Sequence, residues 1–259
     1  MSTVLLLIDP QVDFCDPSGA LYVPGADEDM VRIGDWLKRS KQSVDSIMVT
    51  LDSHQLFDIA HPGWWIDAYG GHPVPFTSIT LEDLQKGKYN VASDATRESS
   101  YSYVEHLASS GKKTLVIWPP HCLLGHPGHS IYSPIRDAVF DWVGEKNRPI
   151  EFVLKGLNPT TEHYSAVQAE RVDPSDPATA LNGAMIHSLD EHDKILVAGQ
   201  AQSHCVADTV LDLMEHIDRR KFVLIEDGMS SVSGFEQHGH RFLYRAKGRG
   251  ATITETESL

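Results

Sequence analysis

The sequence predicts an α/β fold: three layers, with a mostly parallel six-stranded sheet of Rossmann-like topology and helices on both faces. Three observations lead there. Short apolar runs rich in β-branched residues recur along the 259 residues, and segments with helical patterning separate them. The runs are apolar at successive positions, as strands covered on both faces require. Most of them also end in polar, reactive residues, which suits a sheet whose crevice lies outside the carboxyl ends of its strands.

Taken in order, Val4–Ile8 is the first strand and ends at Asp9. It lacks a basic leader and a small-residue cleavage site, so it reads as a strand rather than a signal peptide, and a cytoplasmic location is expected. Ser46–Leu51 follows and ends in Asp52 and His54. Thr114–Trp118 is the third strand, with His121 just beyond it. Glu151–Leu154 ends in Lys155, Ile195–Ala198 leads through a short turn to Cys205, and Phe222–Ile225 completes the six. Residues 251–254 could add an edge strand. Helices are predicted over Asp27–Lys41, Ser99–Ser110, Ser133–Val143, Pro177–Ser188, Val206–Ile217 and Gly234–Ala246. The fifth of these shows its buried face most clearly, because Val206, Val210, Leu213 and Ile217 recur at i, i+4, i+7 and i+11. One domain, 1–259, is expected. It carries an inserted loop or subdomain at about 61–113, a polar stretch with PGWW and YGGHPVPF that is too long for an ordinary connection.

Composition removes several classes of function. Hydrophobic residues at 41% and charged residues at 22% are ordinary for a globular chain. No run of 18 apolar residues exists, so no membrane partner is expected. Lys and Arg total 22 against 36 Asp and Glu, a formal charge of −14, which argues against nucleic acid as a partner. The three cysteines, Cys15, Cys122 and Cys205, are odd in number and far apart, as reduced thiols would be.

Two groups of residues carry chemistry. Cys205 lies where a buried strand turns into a helix, a place that favours a thiolate through unpaired N–H groups and the helix dipole. Asp9 can remove a proton from such a thiol and later return it, and the ammonium of Lys155 can pair with both charges. Backbone N–H groups of the Gly199–Cys205 turn would face an oxyanion. Cys15 and Cys122 lack that setting and read as structural. The second group is Asp52 and His54, in a D-S-H at a strand end, with His121 after Pro119-Pro120. A carboxylate and two imidazoles suit a divalent ion, Zn²⁺, Fe²⁺ or Mn²⁺, with positions left open. His61 is a possible fourth ligand, whereas His126 and His129 read as loop residues. With 14 histidines in the chain, a single one means little.

These residues fall in segments that resemble the nicotinamidase/pyrazinamidase branch of the isochorismatase-like cysteine hydrolases. LLLIDPQVDFC at 5–15 resembles the family's opening strand, and LDSH at 51–54 its metal pair. WPPHC at 118–122 is similar to W-P-x-H-C, LKGLNPTTEHYSA at 154–166 to the lysine segment, and GQAQSHCV at 199–206 to the nucleophile turn. The resemblance runs from about residue 4 to 228, with the motifs in family order. It implies an isochorismatase-like fold and a metal-containing amidohydrolase that converts nicotinamide, or a related heteroaryl amide, to the acid and ammonia through a thioester. Cys205 would be the nucleophile, Asp9 the base and Lys155 its partner. Asp52, His54 and His121 would hold the metal, zinc first among the choices, with His61 an occasional fourth ligand. Phe14 and Trp118 would sandwich the substrate ring, with Tyr164 and Ala201 beside it. A cis peptide at Gln200-Ala201 would aim the Ala201 N–H, with that of Cys205, at the oxyanion. A homo-oligomer is expected. Gln202-Ser203 stands where the family has Thr-Asp, Val167 replaces an aromatic residue, and the 61–121 segment is long. Alternatives are a relative acting on an N-carbamoyl or maleamate-type amide, or a non-catalytic binding member. A nucleotide-binding protein is disfavoured because no G-x-G-x-x-G follows the first strand.

Overall fold

The structure, a computed structural model, describes residues 2–111 and 113–259. In chain order the strands are β1 (Thr3–Ile8), β2 (Ser46–Asp52), β3 (Trp65–Asp67), β4 (Ser78–Ile79), β5 (Tyr89–Val91), β6 (Leu115–Val116), β7 (Glu151–Lys155), β8 (Lys194–Gly199), β9 (Phe222–Ile225) and β10 (Thr252–Thr254). The α-helices are α1 (Val12–Cys15), α2 (Ala26–Ser40), α3 (Leu81–Gln85), α4 (Arg97–Ser110), α5 (Ser133–Lys146), α6 (Gly183–Asp190), α7 (Ala207–Leu213) and α8 (Glu236–Gly248).

The central sheet has six strands in the order β10-β9-β8-β1-β2-β7, and every neighbouring pair is parallel. β1 sits at its middle with all six residues buried, as a strand roofed by helices on both faces should be. Right-handed crossovers place α2 and α5 on one face and α6, α7 and α8 on the other. α2 packs along α5, and α7 against α8. This is the predicted α/β architecture.

Four details differ from the sequence reading. Thr114–Trp118 is not a strand of the main sheet. Only Leu115–Val116 is a strand, paired antiparallel with β4, and its place among the six is taken by β10. The reason lies in where its apolar side chains go: Leu115 and Ile117 are buried with Trp64, Trp65, Ile79 and Tyr103, apart from the main core. Second, β7 is not covered on both faces. It is the sheet's edge, and Phe152 and Leu154 are 50% and 46% exposed. Third, Pro177–Ser188 is not one helix. A 3₁₀ turn, Pro177–Thr179, breaks off before α6, which begins where the Asn182 side chain accepts a hydrogen bond from Met185 N–H at 3.0 Å. Fourth, the stretch that opens the Val206–Ile217 helix is a π-helical turn over Gln202–Val206, and α7 ends at Leu213.

The inserted segment builds its own small core. β3 pairs with β5 and β4 with β6, both antiparallel, while α3 starts on a capping box between Thr80 and Asp83. The two adjacent indoles are both satisfied: Trp64 donates to Ser100 Oγ at 2.9 Å and Trp65 to the Ile59 carbonyl at 2.7 Å. Leaving either buried N–H without a partner would cost about 1–3 kcal/mol.

Register decides what meets at the rim. Asp52 lies opposite Lys155 across β2 and β7, and Ile8 lies opposite Gly199 across β1 and β8. Gly199 has φ +125°, and a Cβ there would stand 2.0 Å from the Ile8 carbonyl oxygen, so no other residue fits. The close approach of these two strands brings the turn after β8 over the end of β1.

Candidate active site

Four adjacent strands deliver the cluster. Asp9 follows β1, Asp52 ends β2, Lys155 ends β7 and Cys205 lies in the turn after β8. The Lys155 ammonium touches all three others: Asp9 Oδ2 at 2.9 Å, Asp52 Oδ1 at 3.0 Å and Cys205 Sγ at 3.5 Å. The group is sealed, with Asp9 and Lys155 at 0% and 1% exposure and Cys205 at 5%. Asp9 has a positive φ of 45°, an uncommon conformation for an aspartate, which is held by its N–H donating to the Thr50 carbonyl at 3.2 Å. The Thr50 hydroxyl donates to Asp9 Oδ1 at 2.5 Å.

Electrostatics follow from that geometry. Burial raises Asp9 above the usual carboxylate range, and the Lys155 ammonium pulls it only partly back. Burial alone would lower Lys155, but the carboxylates of Asp52 and Asp9 outweigh it and hold the ammonium firmly protonated. Burial pushes the Cys205 thiol well up; Lys155 opposes this, while Asp9 and Asp52 add to it. The expected thiolate at a helix start is therefore corrected. The residues before α7 form a π turn, and two carboxylates offset the one ammonium, so the sulfur keeps its proton at rest beside an acceptor.

A second convergence shares Asp52. Its Oδ2 lies 3.2 Å from His54 Nε2 and 3.4 Å from His121 Nε2, and the ligand atoms of the three residues lie within 4.8 Å of one another. The His54 backbone bridges to the segment after His121, with His54 N–H donating to the Cys122 carbonyl at 3.1 Å and Leu124 N–H to the His54 carbonyl at 3.0 Å. That bridge brings WPPHC to the ligands, in place of the main-sheet strand expected there. The remote nitrogens are also occupied: His54 Nδ1 contacts Asp58 Oδ2 at 3.1 Å and His121 Nδ1 contacts the Pro119 carbonyl at 2.9 Å. Both Nε2 atoms are thereby turned inward, as metal-binding imidazoles require. His61 closes the ring of imidazoles, with its centroid 5.2 Å from His54 and 5.5 Å from His121. Its Nδ1 meets the Gln55 carbonyl at 3.1 Å, and its Nε2 is buried with no hydrogen-bond partner. Burial and then the neighbouring His121 and His54 lower its pKa to about 4, which leaves a neutral ring with a free lone pair. An orphaned buried nitrogen beside two oriented imidazoles and a carboxylate fits a divalent cation.

The remaining expected residues fall as follows. Phe14 is buried, with its ring 5.4 Å from that of His121. Trp118 Nε1 donates to Tyr164 Oη at 2.9 Å, and its ring meets those of His204 at 5.3 Å, Phe76 at 5.7 Å and Phe235 at 6.0 Å. The Gln200-Ala201 peptide is cis. His126 and His129 lie at a 3₁₀ turn and are not part of the Asp52/His54/His121 group, although His129 contacts the intervening Ser53 Oγ at 2.8 Å. Cys15 and Cys122 are buried free thiols in the core.

Sequence reading missed four supports. Asp58 orients His54, and Thr50 bonds Asp9. Gln11 clasps the Asp52 backbone, donating to its carbonyl at 2.8 Å and accepting from its N–H at 2.7 Å. Asp13 accepts from Cys122 N–H at 2.7 Å. Gln11 and Asp13 sit in the D-P-Q-V-D-F stretch, and Asp58 comes four residues after His54. Only their closeness to the motifs marks them.

A thiol between an acid and an ammonium, at the rim of a parallel sheet, is the equipment for acyl transfer that this chain carries. No family model matches it. It is 25% identical over 215 residues to a nicotinamidase of Saccharomyces cerevisiae, covering 82% of this chain and 81% of that protein. To a nicotinamidase of Escherichia coli it is 24% identical over 254 residues, covering 96% and 92%. Among solved structures, the yeast nicotinamidase superposes with a TM-score of 0.67 at 20% identity, covering 98% of this chain and 99% of that one. A pyrazinamidase of Pyrococcus horikoshii in complex with zinc gives 0.59 at 19% identity, covering 98% and 99%. The chain is thus similar over most of its length to nicotinamidases, and it shares the fold of nicotinamidase and pyrazinamidase structures.

Proposed function

We propose that this chain hydrolyses nicotinamide, or a related heteroaryl amide such as pyrazinamide, to the carboxylic acid and ammonia through a thioester on Cys205. The observation that carries the reading is the sealed contact of Lys155 with Asp9, Asp52 and Cys205. The nicotinamidase relatives supply the substrate class.

Asp9 accepts the thiol proton as Sγ attacks the amide carbon, and Lys155 holds the charge of the carboxylate and of the sulfur in a place shielded from bulk solvent. The N–H groups of Ala201 and Cys205 face the oxygen that gains charge; one such donor is worth on the order of 2.7–4 kcal/mol of barrier. Asp9 then passes its proton to the departing nitrogen, which leaves as ammonia. Water, deprotonated by Asp9, attacks the thioester carbon, and the acid departs as the proton returns to sulfur. Phe14 and Trp118 hold the ring between them, with Tyr164 fixing the Trp118 indole.

Asp52, His54 and His121 would hold a divalent ion, with His61 as a fourth ligand and zinc as the first choice. Such an ion supplies a Lewis-acid anchor for the ring nitrogen of a pyridine amide. Three free, buried cysteines suit a reducing compartment, and the cytoplasm is our reading. Among the described residues no helix is long and apolar enough to cross a membrane. The open apolar edge at Phe152 and Leu154 supports a homo-oligomer, and the charge of −14 weighs against nucleic acid.

The test is ammonia release by wild type and Cys205→Ala over nicotinamide, pyrazinamide, maleamate and carbamoyl compounds. Wild type releases ammonia from the pyridine and pyrazine amides. The alanine variant releases none while still binding them. Turnover by the variant, or turnover confined to maleamate or carbamoyl compounds, overturns the reading.

A further inference from the structure

A cavity of about 650 Å³ opens between the end of α4, α7 and α8, with Ser203, His204 and Ala207 of the turn around Cys205 in its wall. None of Asp9, Lys155 or Cys205 lines it. It does share a wall with the region around the nucleophile: Tyr164, His204 and Phe235 face into it, and each of them also touches Trp118. The volume suits a ligand of one or two rings.

Its charge is out of keeping with the chain. In a protein of net charge −14, the cavity is lined by Lys113, Arg241 and Arg245 against a single carboxylate, Asp208. Asp208 is already taken, since Lys113 is paired with it. The two arginines stand at i and i+4 on α8, on one helix face. Arg32, Arg97, Arg136, Arg219, Arg220 and Arg249 are each clipped to a carboxylate, whereas Arg39, Arg148 and Arg171, which have no ion pair among the described residues, do not line this cavity. Arg241 and Arg245 have no carboxylate partner among the described residues, although acidic residues outnumber basic ones by 36 to 22. Guanidinium groups left open over an aromatic wall are suited to a planar anion, with the ring against the wall and the acid on the arginines.

We infer that this cavity is a binding site for a small aromatic anion, a ring bearing a carboxylate or a phosphate, distinct from the site at Cys205. Two sources share that chemistry. One is the acid released by the proposed reaction, in which case the inference rests on the proposed function and describes feedback by product. The other is a phosphate monoester carrying a base or other ring. Occupancy would press on Tyr164 and His204, and through them on Trp118.

The test is equilibrium binding, by calorimetry, to the full chain with Cys205→Ala as background, so that no turnover interferes. The probes are nicotinate, a mononucleotide and inorganic phosphate. Each is titrated into the parent and into a further variant with Arg241→Ala and Arg245→Ala. Both arginines are exposed, so the fold survives their removal, and the melting temperature checks this. One of the two ring-bearing anions should bind the parent at a site that neutral nicotinamide does not compete for. The arginine variant should lose about tenfold or more in affinity for it, and higher salt should weaken it in the parent only. The arm that binds identifies the source. Equal affinity in parent and arginine variant, full competition by nicotinamide, or binding by neither ring-bearing anion overturns the inference. None of these readouts depends on ammonia release, so failure here leaves the hydrolase reading to its own test.

Discussion

Replacing Lys155 by methionine tests the electrostatic argument directly. The side chain is 1% exposed and, among the described residues, is the one lysine or arginine in contact with Asp9 and Asp52, at 2.9 and 3.0 Å. Methionine keeps the length and packs the same space, so the loss is of charge rather than volume. Removing one partner of a buried ion pair leaves charge uncompensated and costs on the order of 3–5 kcal/mol. At roughly 2–4 °C per kcal/mol for a chain of this size, that corresponds to a fall in Tm of about 6–20 °C at pH 7. The deficit should also depend on pH, and its sign can be worked out. Burial holds the Asp9 pKa above its unfolded value, so its favourable contribution is complete below the unfolded value and is lost as pH rises through the folded one. Without the ammonium the folded value climbs further, so more of that loss falls below neutrality. The variant is then worst off at neutral and alkaline pH, and it recovers relative to wild type as acid neutralises the carboxylate. Scanning calorimetry from pH 5 to 8, with ammonia release measured alongside, reads both effects. A Tm within 2 °C of wild type, or a deficit that does not change with pH, would refute the view that Lys155 holds two buried carboxylates in place.

Two further outcomes are expected. Thr50→Val removes the hydroxyl that donates to Asp9 Oδ1, a bond that favours the carboxylate. The acid limb of the kcat/KM profile should lie above the ordinary carboxylate pKa of about 3.9 in wild type and move higher still in the variant; an unmoved limb would remove Asp9 as the base. Asp58→Ala frees His54 Nδ1 without touching a ligand atom, and metal affinity measured against a chromogenic chelator should fall about 10–100-fold. Unchanged affinity would mean that His54 is not oriented by this carboxylate.

How far the sequence could be read is best judged residue by residue. Asp9, Asp52, Lys155 and Cys205 were legible because each lies at or soon after the end of an apolar run, and parallel strands bring such ends to one rim. Pairing between strands then did the rest: Asp52 meets Lys155 because their Cα atoms are partners in register, and no spacing along the chain encodes that number. Leu115–Val116 misled for a related reason. Its apolar pattern is right for a buried strand, but a two-residue strand reports only that it is buried, not in which of two cores. β7 misled in the opposite sense, since an edge strand with outward Phe152 and Leu154 has the composition of a central one. The protonation of Cys205 was the deepest gap. A helix start and an ammonium favour a thiolate, yet the balance is set by how many carboxylates reach the same buried ion, and here Asp9 and Asp52 both do. Local sequence can name the charges at a rim. Only the fold counts them against one another, and that count is why the proposed mechanism assigns the thiol proton to Asp9 rather than to the field of the helix.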